Sequence, residues 1–437
     1  MRFLPLPLLV LSLLQLTMTE GAVAADQLPG SRPLKLEGDI PSQLVAGVDR
    51  FLLRHLEASI ERRAAHWKRD LASPAAYIKS VAANRARLAE ITGVVDARVN
   101  PQGLADQQLL FVRGKRFPVS GVGKGFRAMN IRWPSIRNMH GEGLALFCTN
   151  EQQQNDRFVI VIPDADQTPE MLCGVSPGLP PAQQYARRLA ESGCTVFVPS
   201  IISRNYGPRN GRAKMTTREF LYRSAYELGR HLIGYEVQKI LALIDGIDRQ
   251  YGDQKNRVAV MGWGEGGMLA LYAAALDQRI DATCVSGYFD SRQDIWQEPI
   301  SRNVFGLLDQ FGDAELATLI APRTLIIEAA RGPEFKLAGG GGAPAVLDTP
   351  RPEVVKGELD RAAKLLADKP ELCQFQLIRS GDGTGPFATE ETLQSLLSAL
   401  DPQLKLAGPG EPPNPNGVVD EVARQARQVQ EIDDHNQ

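Results

Sequence analysis

A chain of 437 residues has room for one large domain plus additional segments and can bury a substantial core. Its 43% hydrophobic and 23% charged content is ordinary for a globular protein. A formal net charge of −2, with no basic run, excludes a nucleic-acid-binding surface.

The N-terminus carries the first positional signal. Met1-Arg2 is followed by an apolar stretch over residues 3–16, and Ala22-Val23-Ala24 precedes Asp26. This is the pattern of a secretory signal peptide over residues 1–25, cut near Ala24 or Ala25. The apolar core is shorter than the roughly 20 residues that span a bilayer. The mature chain is therefore expected to be secreted or periplasmic, with no membrane attachment after cleavage. Cys148, Cys173, Cys194, Cys284 and Cys373 show neither C-x-x-C nor zinc-ligand spacing. They read as buried free thiols, although an oxidising compartment would permit a disulfide at Cys173.

Beyond a Pro- and Gly-punctuated stretch, Leu44, Val48, Phe51, Leu52, His55, Leu56 and Ile60 recur at helical spacing, predicting an amphipathic helix to about Arg69. Ser73-Pro74 opens a second helix through Tyr77, Val81 and Leu88, since serine caps and proline fits the first turn. Residues 26–108 thus read as an N-terminal helical cover. His55 and His66 have no acidic or cysteine partner in ligand register and imply no metal.

From residue 109 the period shortens. Strands are predicted at 109–112, 127–133, 143–147, 158–162, 195–199, 258–261, 282–286, 324–328 and 374–379. Helices are predicted at 181–192, 217–248, from 266, and at 303–311, 353–367 and 390–400. This alternation argues an α/β fold over residues 109–402, a doubly wound, mostly parallel sheet covered on both faces. Residues 338–347, with four consecutive glycines, read as a mobile loop. Residues 403–417 read as a Pro/Gly-rich linker, and the polar helical tail after it has too few apolar residues to pack firmly.

The organising stretch is RVAVMGWGEGGMLALYAAA, residues 257–275: a short strand, a glycine corner and a helix. It has the outline of the G-x-S-x-G nucleophile elbow of α/β-hydrolases, with Gly262 and Gly266 as the flanking glycines. The nucleophile position holds Gly264, which has no side chain. Together with WKRDLASPAAYIKSVAANRARL (67–88), IPDADQTPEML (162–172), GYEVQKIL (234–241), SGYFDSRQDIWQEPISRNVFGLLDQFGDAEL (286–316) and APRTLIIE (321–328), the elbow resembles a group of secreted α/β-hydrolase-like proteins. These are acetylxylan-esterase-like or dienelactone-hydrolase-like and frequent in planctomycete-type bacteria. The resemblance covers about residues 45–400 and implies an α/β-hydrolase-type sheet. It also implies that a further catalytic module follows such a linker in some members.

A triad runs in the order nucleophile, acid, histidine. Glu328 ends its strand where such a fold carries the acid, with Asp290 as the alternative. The loop after the last strand, residues 380–387, holds no histidine, and past Glu328 the only one is His435 in the tail. With serine and histidine both missing, acyl transfer by a serine mechanism is not expected. As substitute nucleophiles, Ser286 lacks a base and Thr384 sits in a flexible loop; Cys284 reads as core, and His140 and His231 read as structural.

Ligands bind at the carboxyl ends of parallel strands. Asp164, Asp166, Glu265, Glu328 and Asp382 fall at or near such ends. They read either as helix caps and turn residues or as a carboxylate-lined pocket for sugar hydroxyls or a cation. Arg204, Arg302 and Arg323 read as structural partners of Glu298 and Asp313, or as the answer to a carboxylate ligand. Two functions remain open: a non-catalytic binding or scaffolding module for a carbohydrate or an associated catalytic module, and a carbohydrate-ester hydrolase using a carboxylate pair or metal-activated water. No cofactor is implied.

Overall fold

The computed structural model describes residues 30–33, 35–99, 119–149, 156–209, 211–252, 256–416 and 420–437. The expected signal peptide and the strand expected at 109–112 lie outside them. The chain divides into two compact units, residues 1–54 and residues 55–437. The first carries the start of helix α1 (Ile40–Arg62), where Leu44, Val48 and Leu52 are more than half exposed. The helix stops at Arg62, short of the expected Arg69, and a 3-10 turn follows at Arg63–His66.

The second unit begins with α2 (Pro74–Ser80) and α3 (Ala82–Thr92), then an antiparallel meander of β1 (Val119–Gly123), β2 (Phe126–Ile136) and β3 (Met139–Cys148). Next come β4 (Arg157–Ile162), α4 (Pro169–Cys173), α5 (Tyr185–Glu191), β5 (Thr195–Pro199) and a hairpin of β6 (Tyr206–Arg209) and β7 (Ala213–Thr216). Helices α6 (Thr217–Glu227) and α7 (Leu232–Tyr251) precede β8 (Arg257–Trp263), α8 (Glu265–Leu276), β9 (Ala282–Ser286), α9 (Leu307–Gln310) and α10 (Asp313–Ile320). The chain closes with β10 (Thr324–Ala329), a hairpin of β11 (Phe335–Leu337) and β12 (Ala345–Leu347), α11 (Pro352–Lys364), β13 (Phe375–Arg379), α12 (Glu390–Leu400), β14 (Asn414–Pro415) and α13 (Glu421–Asn436).

Among the described residues ten strands form one sheet, in the order β13-β10-β9-β8-β4-β5-β3-β2-β1-β14. Pairings from β13 to β5 are parallel, and those from β5 to β14 antiparallel. This is the mostly parallel sheet of an α/β-hydrolase-type fold. Side-chain alternation gives it two cores: Phe158, Ile160 and Ile162 face the layer of α7, α8 and α10, whereas Val159 and Val161 face α5 and α12. Helix α8 is buried almost throughout, which explains why it is apolar all round. The first-layer cover is tied to it: Arg85 of α3 donates to the carbonyls of Ala275 and Leu319, and Tyr77 Oη donates to Thr318 O at 2.7 Å.

Three further expectations need correction. The helix expected over 217–248 is two helices, because Gly229 takes a left-handed φ of 66° and His231 then caps α7 in extended backbone. The glycine-rich segment expected to be mobile is the turn between β11 and β12 and is docked on the β6–β7 hairpin. Lys214 N donates to Gly340 O at 2.9 Å, and a Cβ on Gly341 would meet Ala213 at 2.9 Å, so this approach requires glycine.

The third correction concerns the tail, which packs through polar atoms rather than an apolar stripe. Arg424 makes a buried bidentate pair with Glu170 at 2.8 and 2.6 Å, and Gln428 Oε1 accepts from buried Lys239 at 2.8 Å. Glu431 accepts from His140 N at 2.8 Å, and Ile432 is fully buried. The linker is tied down as well, with β14 pairing along the edge strand β1 and Gly410 O accepting from Arg187 at 2.6 Å.

Candidate functional site

Strand β4 has β8 on one side and β5 on the other, so the loops leaving β4 and β8 meet at the point where the chain switches direction across the sheet. The β8–α8 corner is an elbow in geometry. Gly264 has φ 59° and ψ −119°, and its flanking glycines are required by contact. A Cβ on Gly262 would lie 2.1 Å from the backbone of Gly266, and one on Gly266 would lie 2.1 Å from Ile162 O.

The space a nucleophile would occupy is filled. A Cβ on Gly264 would stand 2.5 Å from Asp164 Oδ1 and 2.9 Å from Pro333, which comes from the segment between β10 and β11. Asp164 Oδ1 also accepts from Glu265 N at 2.9 Å. In an active α/β-hydrolase the amide following the nucleophile helps hold the oxyanion. Here the chain's own carboxylate holds that amide.

Asp164 is saturated. Arg204 donates to both of its oxygens, at 2.6 and 2.7 Å, and Asp166 N donates to Oδ2 at 3.1 Å. Arg204 also reaches Asp166 at 2.5 Å and Glu265 at 3.1 Å. Glu265 is further bonded by Arg302 Nε at 3.0 Å, with Arg218 Nε 3.5 Å away. Arg218 in turn clamps Glu236 through two bonds of 2.8 Å. Asp164, Glu236 and Glu265 thus face Arg204, Arg218 and Arg302, and all six residues are at most 8% exposed. Burial alone would raise the Glu265 pKa, but Arg302, Arg218 and Arg204 outweigh it and hold the carboxyl well below its ordinary range. It stays ionised and has no proton to give.

Glu328 sits at the end of β10, where the acid was expected, but its partners are structural. Five donors converge on it: Ser286 Oγ at 2.5 Å, Ala388 N, Thr389 N and Thr389 Oγ1 at 2.9 Å each, and Thr392 Oγ1 at 2.6 Å. It therefore ties the sheet to the N-terminus of α12, a favourable place for a carboxylate. Among the described residues it shares no hydrogen-bond partner with the arginine cluster. In the loop where a histidine would stand, Phe387 stacks on Trp263 at 4.3 Å.

The remaining sequence candidates scatter. Asp382 is exposed and bonds within its own turn, accepting from Thr384 N and Oγ1. Asp290 Oδ1 accepts from Ser291 N, and its own amide donates to Asp313. Arg302 does pair with Glu298, at 2.8 Å, whereas Asp313 pairs with Arg292 instead. Arg323 meets four backbone carbonyls, of Ala274, Asp277, Ile280 and Leu319, and caps helix ends rather than answering a carboxylate. Cys284 is buried in β9 and, like Cys173, Cys194 and Cys373, is a free thiol. His231 is buried against Tyr222 and Tyr226. Among the described residues no three His, Cys, Asp or Glu side chains are arranged to hold a metal ion.

Arg218, Glu236 and Pro333 belong to the site without having been singled out from the sequence. Arg218 lies one position after the N-terminus of α6, and only the break at Gly229 shows that α6 and α7 fold back to bring Arg218 to Glu236.

The dienelactone hydrolase family model matches residues 145–321, a stretch that includes β4, the elbow and β9. No curated protein matches the chain. Among solved structures, a candidate acetyl xylan esterase from Bacteroides fragilis NCTC 9343 superposes with a TM-score of 0.50 at 16% identity, covering 88% of this chain and 94% of that one. A glucuronoyl esterase from Solibacter usitatus gives a TM-score of 0.46 at 12% identity, over 74% and 93% of the two chains. A methylesterase gives 0.46 at 12%, over 77% and 69%. At these identities the likeness is one of fold.

Proposed function

We propose that this chain is an acatalytic binding or scaffolding protein built on the α/β-hydrolase fold, exported by its N-terminal signal. The observation that carries this reading is the carboxylate of Asp164 on the Glu265 amide, in the space above Gly264. A transition-state oxyanion would have to displace a buried anion that is itself clamped by Arg204. The absence of a serine at 264 and a histidine in 380–387 agrees with it.

The carboxylate-pair alternative is disfavoured by the environment of each partner: Glu265 is held ionised among arginines, and Glu328 is engaged by five donors. A metal-activated water has no ligand cluster among the described residues. The fold of the acetyl xylan esterase-like neighbour suggests carbohydrate as the ligand class to test first.

Hydrolysis of nitrophenyl acetate and of acetylated xylan by the purified chain is expected to equal the protein-free rate. Turnover that copurifies with the chain and falls in an Asp164→Asn variant would overturn the reading.

A further inference from the structure

With the elbow filled, the carboxyl-end face of the sheet still carries an open feature built by an element the α/β-hydrolase outline does not require. Helix α13 lies against the loops leaving β4 and β5 and frames with them a half-open cavity of about 460 Å³. That volume is within the roughly 300–1,000 Å³ typical of small-molecule sites. Its walls come from three places: Asp166 and Thr168 after β4, Ser203, Asn205 and Arg209 around β5 and β6, and Glu421, Val422 and Gln425 on α13.

The lining has a definite chemistry. Two carboxylates (Asp166, Glu421) and two guanidiniums (Arg209, Arg424) leave no net charge, so a strongly ionic ligand gains nothing. Hydroxyl and amide groups add donors and acceptors on every wall, while Ala165, Val422 and Val429 supply an apolar strip. The guanidiniums are fixed in place: Arg209 donates to Thr217 Oγ1 at 2.7 Å, and Arg424, only 4% exposed, holds Glu170. The cavity is also rigidly framed. Gln425 donates to Ile201 O at 2.8 Å and accepts from Ser203 N at 3.1 Å, and Asp166 is held by Arg204 of the buried cluster.

We infer that this cavity between α13 and the β4 and β5 loops is a binding site for a small neutral polyol of pyranose size. Its ring hydroxyls would meet Asp166, Asn205, Arg209 and Glu421, and a C–H face would lie on Val422 and Val429. The inference rests on the binding reading above but places the ligand beside the filled elbow rather than in it. Docking of α13 is then a condition for ligand binding.

The test is a calorimetric or NMR titration of the full chain with xylobiose, with glucuronate and glycerol as comparators. Saturable binding of xylobiose is expected, weakened about tenfold or more by Arg209→Gln and by Val422→Trp. Val422 is 81% exposed at the cavity wall, so the tryptophan blocks entry without entering the core. A Trp296→Ala control, at a half-exposed residue outside the lining, should bind as wild type. No saturation, or saturation indifferent to both cavity variants, overturns the site. Glucuronate binding tenfold tighter than xylobiose overturns its neutral character. Ester hydrolysis by the wild-type chain would overturn the acatalytic reading and leave the cavity assignment standing, so the two fail separately.

Discussion

Gly264→Ser is the substitution that would restore the missing nucleophile, and the structure makes it a destabilising one. The new Cβ would stand 2.5 Å from Asp164 Oδ1 and 2.9 and 3.0 Å from Pro333 carbons, at a φ of 59°. A left-handed conformation costs a non-glycine residue about 1–3 kcal/mol. Overpacking against Asp164 and Pro333 adds about 1–3 kcal/mol. If Asp164 is instead pushed off Arg204, a buried ion pair breaks at a cost of about 3–5 kcal/mol. The expected loss is therefore about 2–6 kcal/mol with the pair intact and about 4–8 kcal/mol if it breaks, read as a shift of the urea midpoint at constant slope. Asp164→Ala made on the Gly264→Ser background removes the atom that clashes, so the two costs should fall short of additive. A Gly264→Ser chain as stable as wild type, or one that gains esterase activity when a histidine is placed at Thr384 or Gly385, would refute the filled-corner reasoning.

Other outcomes follow from the same geometry. Glu328→Ala strands five donors at the start of α12 and should cost about 3–5 kcal/mol in denaturant unfolding; a loss under 1 kcal/mol would argue against its tying role. Burial lowers the His231 pKa from 6.5 to about 4. Between those pH values the unfolded chain takes up a proton that the folded chain refuses, so this contribution is intact above pH 6.5 and is lost as the pH falls toward 4. It amounts to about 3 kcal/mol, and His231→Gln should flatten the stability profile across that window. Arg424→Ala leaves Glu170 buried without its partner and should lower stability by about 3–5 kcal/mol, with proteolysis after residue 416 as a second readout of α13 release.

The parts of the molecule legible in the sequence are those governed by repeating apolar pattern. Strands such as Thr195–Pro199 and Ala282–Ser286 are buried on both faces and read as short apolar runs between turns, and the observed bounds match the expected ones. Helix α12 likewise begins and ends where expected, because Thr389 caps it and its apolar residues recur at helical spacing. The elbow was legible because close approach demands Gly262 and Gly266. What escaped is what depends on polar atoms meeting over long sequence distance. Nothing local to Asp164 says that its carboxylate turns onto the amide of Glu265. Helix α13 lacks an apolar stripe because ion pairs and amide bonds dock it, so a hydrophobic pattern could only call it a loose tail. The sequence leaves Arg204 and Arg323 open between Glu298, Asp313 and a carboxylate ligand, and neither reading names their actual partners, since a guanidinium is satisfied equally by a carboxylate or by helix-end carbonyls.

The most direct test of the filled catalytic corner is the intact mass of the wild-type chain after incubation with a fluorophosphonate that phosphonylates activated nucleophiles. With Asp164 on the Glu265 amide and no nucleophile at Gly264, the mass should remain that of the unmodified protein; a stoichiometric single adduct on any serine, threonine or cysteine would contradict it.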